Sequence, residues 1–349
     1  MNTPDLIHKT QHSMVLCDFR DTYRAAPGSL CYLHTMKAAV LFLLFATCCL
    51  SLDLDKYHTF EDIMAYLKEV GGSDRNRIKL IEIGRSIENR PLKVIKIGTT
   101  GPALWIDATI HAREWLSTAV ALKLIDRLAN GRELGVTYYI LPVMNPDGYA
   151  FTKGPTKEER FYRKNRRQTS CATGNIGVDL NRNWDFNFQT NPDLCIDIYP
   201  GEYAFSEPET RAVRDFLVPL KPKLYIALHT YGQILLLPQD IGFNHPTRLT
   251  ALKAARAMQV VNGTDYYVGT SKEAFNSASG GISKDWAYHK LGAKYSFTWE
   301  LRPRSTRNEF RPTCDKNYCA FHIHEREIEG TFQEVWEGLK VFMEKILSE

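Results

Sequence analysis

The chain has 349 residues, 44% of them hydrophobic and 24% charged, which is enough apolar material for a large core. Its 44 basic and 40 acidic residues leave a net charge of +4, too small for the basic field of a nucleic-acid binder.

Residues 1–35 mix Pro, Gly and charges without periodicity and read as an unstructured leader upstream of the mature protein. "MKAAVLFLLFATCCLSLDLD" follows, with a short positive start at Met36 and Lys37 and an apolar run from Ala38 to Leu50. This is the pattern of a secretory signal peptide, placed at 36–51, and it is too short to span a bilayer comfortably. The expectation is a secreted, extracellular protein whose mature part begins near Leu52. The chain ends "KVFMEKILSE", which carries no lipid-anchor signal, so no membrane anchor is expected.

From Tyr57 onward strand-like runs alternate with helix-period segments. "PLKVIKIG" (91–98), "ALWIDATI" (103–110), "YYILPVM" (138–144), "KLYIALH" (223–229) and "KYSFTWEL" (294–301) predict strands. Several are nearly continuous apolar runs, as in a sheet covered on both faces. "AVALKLIDRLA" (119–129), "ETRAVRDFL" (209–217) and "RLTALKAARAMQVV" (248–261) predict helices. Phe332, Val335, Trp336, Leu339, Phe342, Met343 and Ile346 form the stripe of a last helix, with Thr331 and Glu334 as its capping box. The predicted fold is α/β, one domain over 52–349 with a central mixed twisted sheet flanked by helices. The polar stretch from Thr152 to Glu207 reads as a functional loop region.

Eight cysteines are present, four of them in the expected mature part: Cys171, Cys195, Cys314 and Cys319. An even number in an exported chain predicts two disulfides, and Cys171–Cys195 with Cys314–Cys319 is the simplest of three pairings.

His111 and Glu114, three apart, follow the strand "ALWIDATI" and precede a helical pattern. Strand C-terminal ends are where open α/β sheets place their sites, and two His with one Glu is a common catalytic zinc set. His229 ends another apolar strand and supplies a candidate third ligand. Glu300 lies amid Phe297, Trp299 and Leu301, where an unpaired carboxylate is costly. It needs either a partner such as Arg302 or a task, and a general base is one such task. "ERFYRKNRR" (159–167) and "GVDLNRNWDFNF" (177–188) hold arginines suited to an oxyanion or a carboxylate.

Together these segments resemble the zinc metallocarboxypeptidases of the pancreatic A/B/O type. The resemblance covers residues 57–349 and rests on "GRSIENRPLKVIKIG", "WIDATIHAREW", "NPDGYAFT", "GVDLNRNWDFNF", "ALHTYGQ", "ASGG…DW" and "YSFTWELR", in the family's order and spacing. It implies one zinc ion held by His111, Glu114 and His229, with Glu300 as general base. It further implies that Arg163 steadies the oxyanion, that Asn181 and Arg182 hold the terminal carboxylate of a peptide or protein substrate, and that Arg113 and Tyr231 form outer subsites. Asp179 is implied to orient a ligand histidine, and Cys171 and Cys195 sit about where the family has a disulfide. The expected molecule is a monomeric secreted exopeptidase. A catalytically weak homologue that binds peptide C-termini is the rival.

Three departures from the family bear on substrate. Asn276 stands where the family has a tyrosine over the bound substrate. "GGISKDW" is one residue longer than the family pattern, so anchoring on "DW" puts Lys284 at the base of the side-chain pocket, whereas anchoring on "ASGG" puts Ser283 there. Lys284 would favour acidic C-terminal residues, and Asp240 in "LPQDIG" would either cancel it or recognise a basic one. Finally, the family's inhibitory pro-domain is expected to be absent, an arrangement closest to the O branch.

Overall fold

The computed structural model describes residues 52–304 and 319–349, and Leu52–Glu349 forms one compact unit. The expected leader, the signal segment at 36–51 and the Cys314–Cys319 pairing lie outside the described residues.

Thr59 opens helix α1 (Phe60–Ser73) with a capping box to Asp62, and Phe60, Ile63, Leu67 and Val70 form its buried face. The strands are β1 (Ile78–Arg85), β2 (Pro91–Ile97), β3 (Ala103–Ala108), β4 (Thr137–Leu141), β5 (Leu224–Thr230), β6 (Ile234–Leu237), β7 (Tyr267–Thr270) and β8 (Tyr295–Leu301). They form one eight-stranded sheet in the order β1-β2-β4-β3-β5-β8-β6-β7. The central strands β4, β3, β5 and β8 run parallel, and antiparallel pairings flank them. Parallel central strands need crossovers, which the helices supply.

On one sheet face, helices α2 (Trp115–Asn130), α4 (Pro246–Asn262) and α6 (Glu327–Leu347) bury Leu104, Ile106, Ile226, Leu228, Phe297 and Trp299 in the larger core cluster. On the other, α3 (Pro208–Leu220) and α5 (Ser283–His289) cover a smaller cluster around Trp105, Tyr225 and Trp286. Gly84, at a bulge in β1, lets α3 approach, since a Cβ there would meet the Ala212 Cβ at 2.6 Å.

The predicted capping box of the last helix is not where the sequence pattern suggests. Helix α6 starts at Glu327, and Thr331 lies inside it, bonding back to the Glu327 carbonyl at 2.6 Å. Glu334 is drawn instead to the Tyr266 hydroxyl and the Arg302 guanidinium. Arg302 is therefore engaged away from Glu300. Among the described residues no helix is long and apolar enough to cross a membrane.

Candidate metal centre and active-site cleft

The C-terminal ends of β3, β5 and β8 lie along one edge of the sheet, and each delivers a polar side chain there. β3 ends at Ala108, the chain turns at Thr109 in a left-handed conformation (φ 54°), and His111 and Glu114 follow before α2. His229 and Glu300 close β5 and β8 and are partners in the parallel register. Strand alternation corrects one expectation. Phe297, Trp299 and Leu301 belong to the opposite core, while Ser296 and Thr298 share the face of Glu300.

His111, Glu114 and His229 each offer a ligand atom, and these atoms lie within 4.8 Å of one another. All three residues are buried. Glu114 Oε1 lies 2.7 Å from His111 Nδ1, and Oε2 lies 3.0 Å from His229 Nδ1. Although His229 is buried, its Nε2 has no protein partner and its Nδ1 meets Glu114 without good hydrogen-bond geometry, which is costly unless something else satisfies them. Two imidazoles and one carboxylate converging this way fit zinc. Burial opposes the charge on Glu114, but the two histidines hold its pKa well below the usual carboxylate range. Burial and Arg163 lower the pKa of His111; for His229 burial is outweighed by Glu114, which raises it.

His111 Nε2 meets Asp179 Oδ1 at 3.2 Å. The other Asp179 oxygen accepts from Arg163 Nε and Nη2 at 3.1 and 2.8 Å. Asp179 is fully buried, yet Arg163 and His111 keep it ionised. A carboxylate behind a ligand histidine fixes the ring and its tautomer. Arg163 itself is set by the Ala112 N–H bond to its carbonyl at 3.0 Å. The next residue, Lys164, is buried and donates to the carbonyls of Asn175 at 2.6 Å and Ile196 at 3.0 Å. Asn175 lies in the loop closed by the Cys171–Cys195 disulfide, and Ile196 directly follows its second cysteine.

A cleft of about 540 Å³ opens over these groups. His111, Glu114, Arg163, Asn181, Arg182, Tyr231, Lys284 and Glu300 all line it, with Thr298, Phe275, Ser277, Ser279 and Phe321. Asn181 Oδ1 accepts from the Ser283 N–H at 3.0 Å, which leaves the amide Nδ2 as a donor. Gly281, at φ +69°, permits this closeness, because a Cβ there would sit 2.0 Å from the Arg182 carbonyl oxygen. Burial raises the Glu300 pKa to about 7, with His229 opposing and Glu114 adding.

Lys284 is fully buried at the cleft wall and pairs with Asp285 at 2.8 Å. Asp285, which the sequence reading did not single out, also accepts from the Gln239 N–H at 2.7 Å. Asp240 is exposed on a left-handed turn and is not among the cleft-lining residues. Asn276 is likewise exposed at φ 53° and does not line the cleft, although Phe275 and Ser277 beside it do. Arg113 lies outside the main cleft, stacked over Phe321 at 4.4 Å and lining a neighbouring cavity. Thr298 was legible as the residue two before Glu300 on one strand face, whereas Phe321 has no sequence signal linking it to the site.

The zinc carboxypeptidase family profile matches residues 63–338. Carboxypeptidase A2 of Rattus norvegicus is 37% identical over 314 residues, spanning 84% of this chain and 71% of that protein. Carboxypeptidase B of Astacus astacus is 32% identical over 309 residues, 83% of this chain and 97% of that one. The crystal structure of carboxypeptidase A from Helicoverpa armigera superposes with a TM-score of 0.75 at 29% identity, over 90% of this chain and 80% of that one.

Proposed function

The chain belongs to the zinc carboxypeptidase family, and from that premise we propose that it hydrolyses the last peptide bond of its substrate with Glu300 as general base and a preference for acidic terminal residues. It is a metallocarboxypeptidase, and the observation that carries the finer reading is the convergence of His111, Glu114, Glu300, Arg163 and Arg182 on one cleft, with His229 behind it completing the His–Glu–His group.

Asn181 and Arg182 bind the free carboxylate of the substrate. A guanidinium presents forked donors that match a carboxylate, and Arg182 Nε has no hydrogen-bond partner of its own. Gripping that group places the last peptide bond, rather than an internal one, over His111, Glu114 and His229. One bound zinc ion would polarise the carbonyl and acidify the attacking water. Glu300 takes the proton from that water and returns it to the departing amine. Its pKa of about 7 suits both halves of the transfer near neutral pH. Arg163, braced by Asp179, donates to the oxygen that gains negative charge.

Lys284 supports an acidic preference because one Asp285 oxygen engages only part of its three-donor ammonium. An entering Glu or Asp side chain would share Lys284 with Asp285. Asp240, exposed elsewhere, does not compete. Secretion of the mature chain is supported by the Cys171–Cys195 disulfide, which persists in oxidising compartments.

The test is hydrolysis of blocked dipeptides ending in Glu, Phe or Arg, before and after chelation and zinc return. Release of Glu that vanishes on chelation, returns with zinc and falls in Lys284→Ala supports both claims. Release of Phe or Arg instead leaves the exopeptidase and removes the acidic preference. Binding without turnover in zinc-loaded protein would favour the binding homologue.

A further inference from the structure

On the sheet face that carries the cleft, Asp107 of β3 stands opposite Ala227 of β5, which stands opposite Thr298 of β8. Side chains alternate along a strand, so Tyr225 and His229, two residues to either side of Ala227, point the same way. Ser283 of α5 comes down on this face from above, close enough for Tyr225 to feel both it and Asp107. A ring of polar groups thus surrounds one small side chain.

Asp107, Tyr225, His229, Thr298 and Ser283 are each no more than 2% exposed. The Tyr225 hydroxyl lies near both Asp107 and Ser283, yet Asp107 Oδ1, Tyr225 OH, His229 Nε2, Thr298 Oγ1 and Ser283 Oγ all fall short of hydrogen-bond geometry with protein. The other Asp107 oxygen accepts from Trp105 Nε1 at 2.7 Å, which fixes the carboxylate in place. An unsatisfied buried polar atom costs about 1–3 kcal/mol. So many around one alanine, mixing donors and acceptors, are the surroundings of buried water.

We propose that ordered water beside Ala227 joins His229 Nε2 to Asp107 Oδ1, which makes Asp107 a positioning residue for His229. The diagonal placement across β3 and β5 spans about 7–8 Å between backbones, a distance that one water bridges between the two side chains. An ionised carboxylate only accepts, so the bridge holds the ring proton on Nε2. Nδ1, 3.0 Å from Glu114, is then left with its lone pair toward the metal site. The two ligand histidines are thereby matched. Asp179 holds His111 directly, and Asp107 holds His229 through water. This inference rests on the reading of His111, Glu114 and His229 as zinc ligands.

The experiment compares zinc dissociation constants, by chelator competition, for the full chain and for Asp107→Ala, Asp107→Asn and Ala227→Val. Asp107→Ala should bind zinc about 10–100-fold more weakly, with Asp107→Asn between it and the parent. Ala227→Val keeps both polar partners but fills the water's space, and it should weaken zinc binding about tenfold. Nitrogen-15 NMR of the zinc-free chain should show His229 as the Nε2–H tautomer and lose that preference in Asp107→Asn. Should Asp107→Ala fail to fold, Asp107→Asn, of the same size, decides the matter. Zinc affinity within about twofold of the parent in folded Asp107→Asn, with the tautomer unchanged, overturns the role of Asp107. A parent chain that takes up no zinc overturns the ligand assignment and this inference with it.

Discussion

Lys284 Nζ lies 2.8 Å from Asp285 Oδ2, and neither residue reaches solvent. Two adjacent residues on one short helix thus form a buried ion pair at the wall of the cleft. Removing one partner of such a pair strands the other charge, at a cost of about 3–5 kcal/mol, whereas replacing both with neutral groups is far cheaper. Asp285→Asn should therefore lower stability by about that amount at pH 7, and Lys284→Met with Asp285→Asn should recover most of it. Denaturant unfolding of the parent, both single variants and the double variant measures the coupling. Additive effects would mean that the pair is not a unit.

Glu300→Gln should separate chemistry from metal binding. The side chain lines the cleft but is not one of the three converging donors. Loss of the proton carrier should lower kcat by about 10²–10⁴-fold while zinc content stays at the parent level. Zinc analysis beside steady-state kinetics checks both halves. Loss of the metal in this variant would place Glu300 among the ligands instead.

Arg182→Ala should act on recognition. Hydrogen bonds to a charged group are worth about 1.5–3 kcal/mol, so KM for a free-carboxylate substrate should rise roughly 10–100-fold. The same substrate with an amidated C-terminus should be nearly indifferent to the change. A kinetic comparison of the two substrates in parent and variant decides it.

Glu209 predicts a pH dependence of stability. The side chain is fully buried on α3, and burial raises its pKa to about 7, with its backbone hydrogen bonds opposing and Glu207 adding. An acid whose folded pKa exceeds its unfolded value stabilises most below the unfolded value. That contribution is lost as pH rises through the folded value. Between pH 5 and 8 the parent should lose stability on the order of 3 kcal/mol from this group alone. Glu209→Gln should flatten that slope, as read from Tm at both pH values.

The parts of the site that lie on strands were legible because strand ends are written in hydrophobic pattern. His229 and Glu300 each close an apolar run, and those runs became β5 and β8 almost residue for residue. β1, β6 and β7 went unread. β1 has one buried residue, Ile78, and otherwise only partly buried and exposed positions without two-residue alternation, and β6 and β7 are only four residues long. Arg163 stands in irregular backbone, and Asn181 and Arg182 in a single 3-10 turn too short to show periodicity, so the resemblance rather than the pattern singled them out. Asp285 was missed because a carboxylate beside a lysine in sequence reads as a solvated pair, and only the packing of α5 on the sheet shows both charges buried. The start of α6 was misplaced by one turn, since Thr331 bonds back to Glu327 instead of capping.

The parallel pairing of His229 with Glu300 has a mechanical consequence. The spacing between these two residues is the spacing of adjacent strands, held by a ladder through the centre of the molecule. The residues proposed to act on the substrate from outside the sheet, Arg163, Asn181 and Arg182, stand on segments around a disulfide and a buried lysine. Warming or mild denaturant should loosen these segments first. On the proposed roles, the hold on peptide ends would then be lost while His229 and Glu300 are still in register, so that rising KM precedes falling kcat.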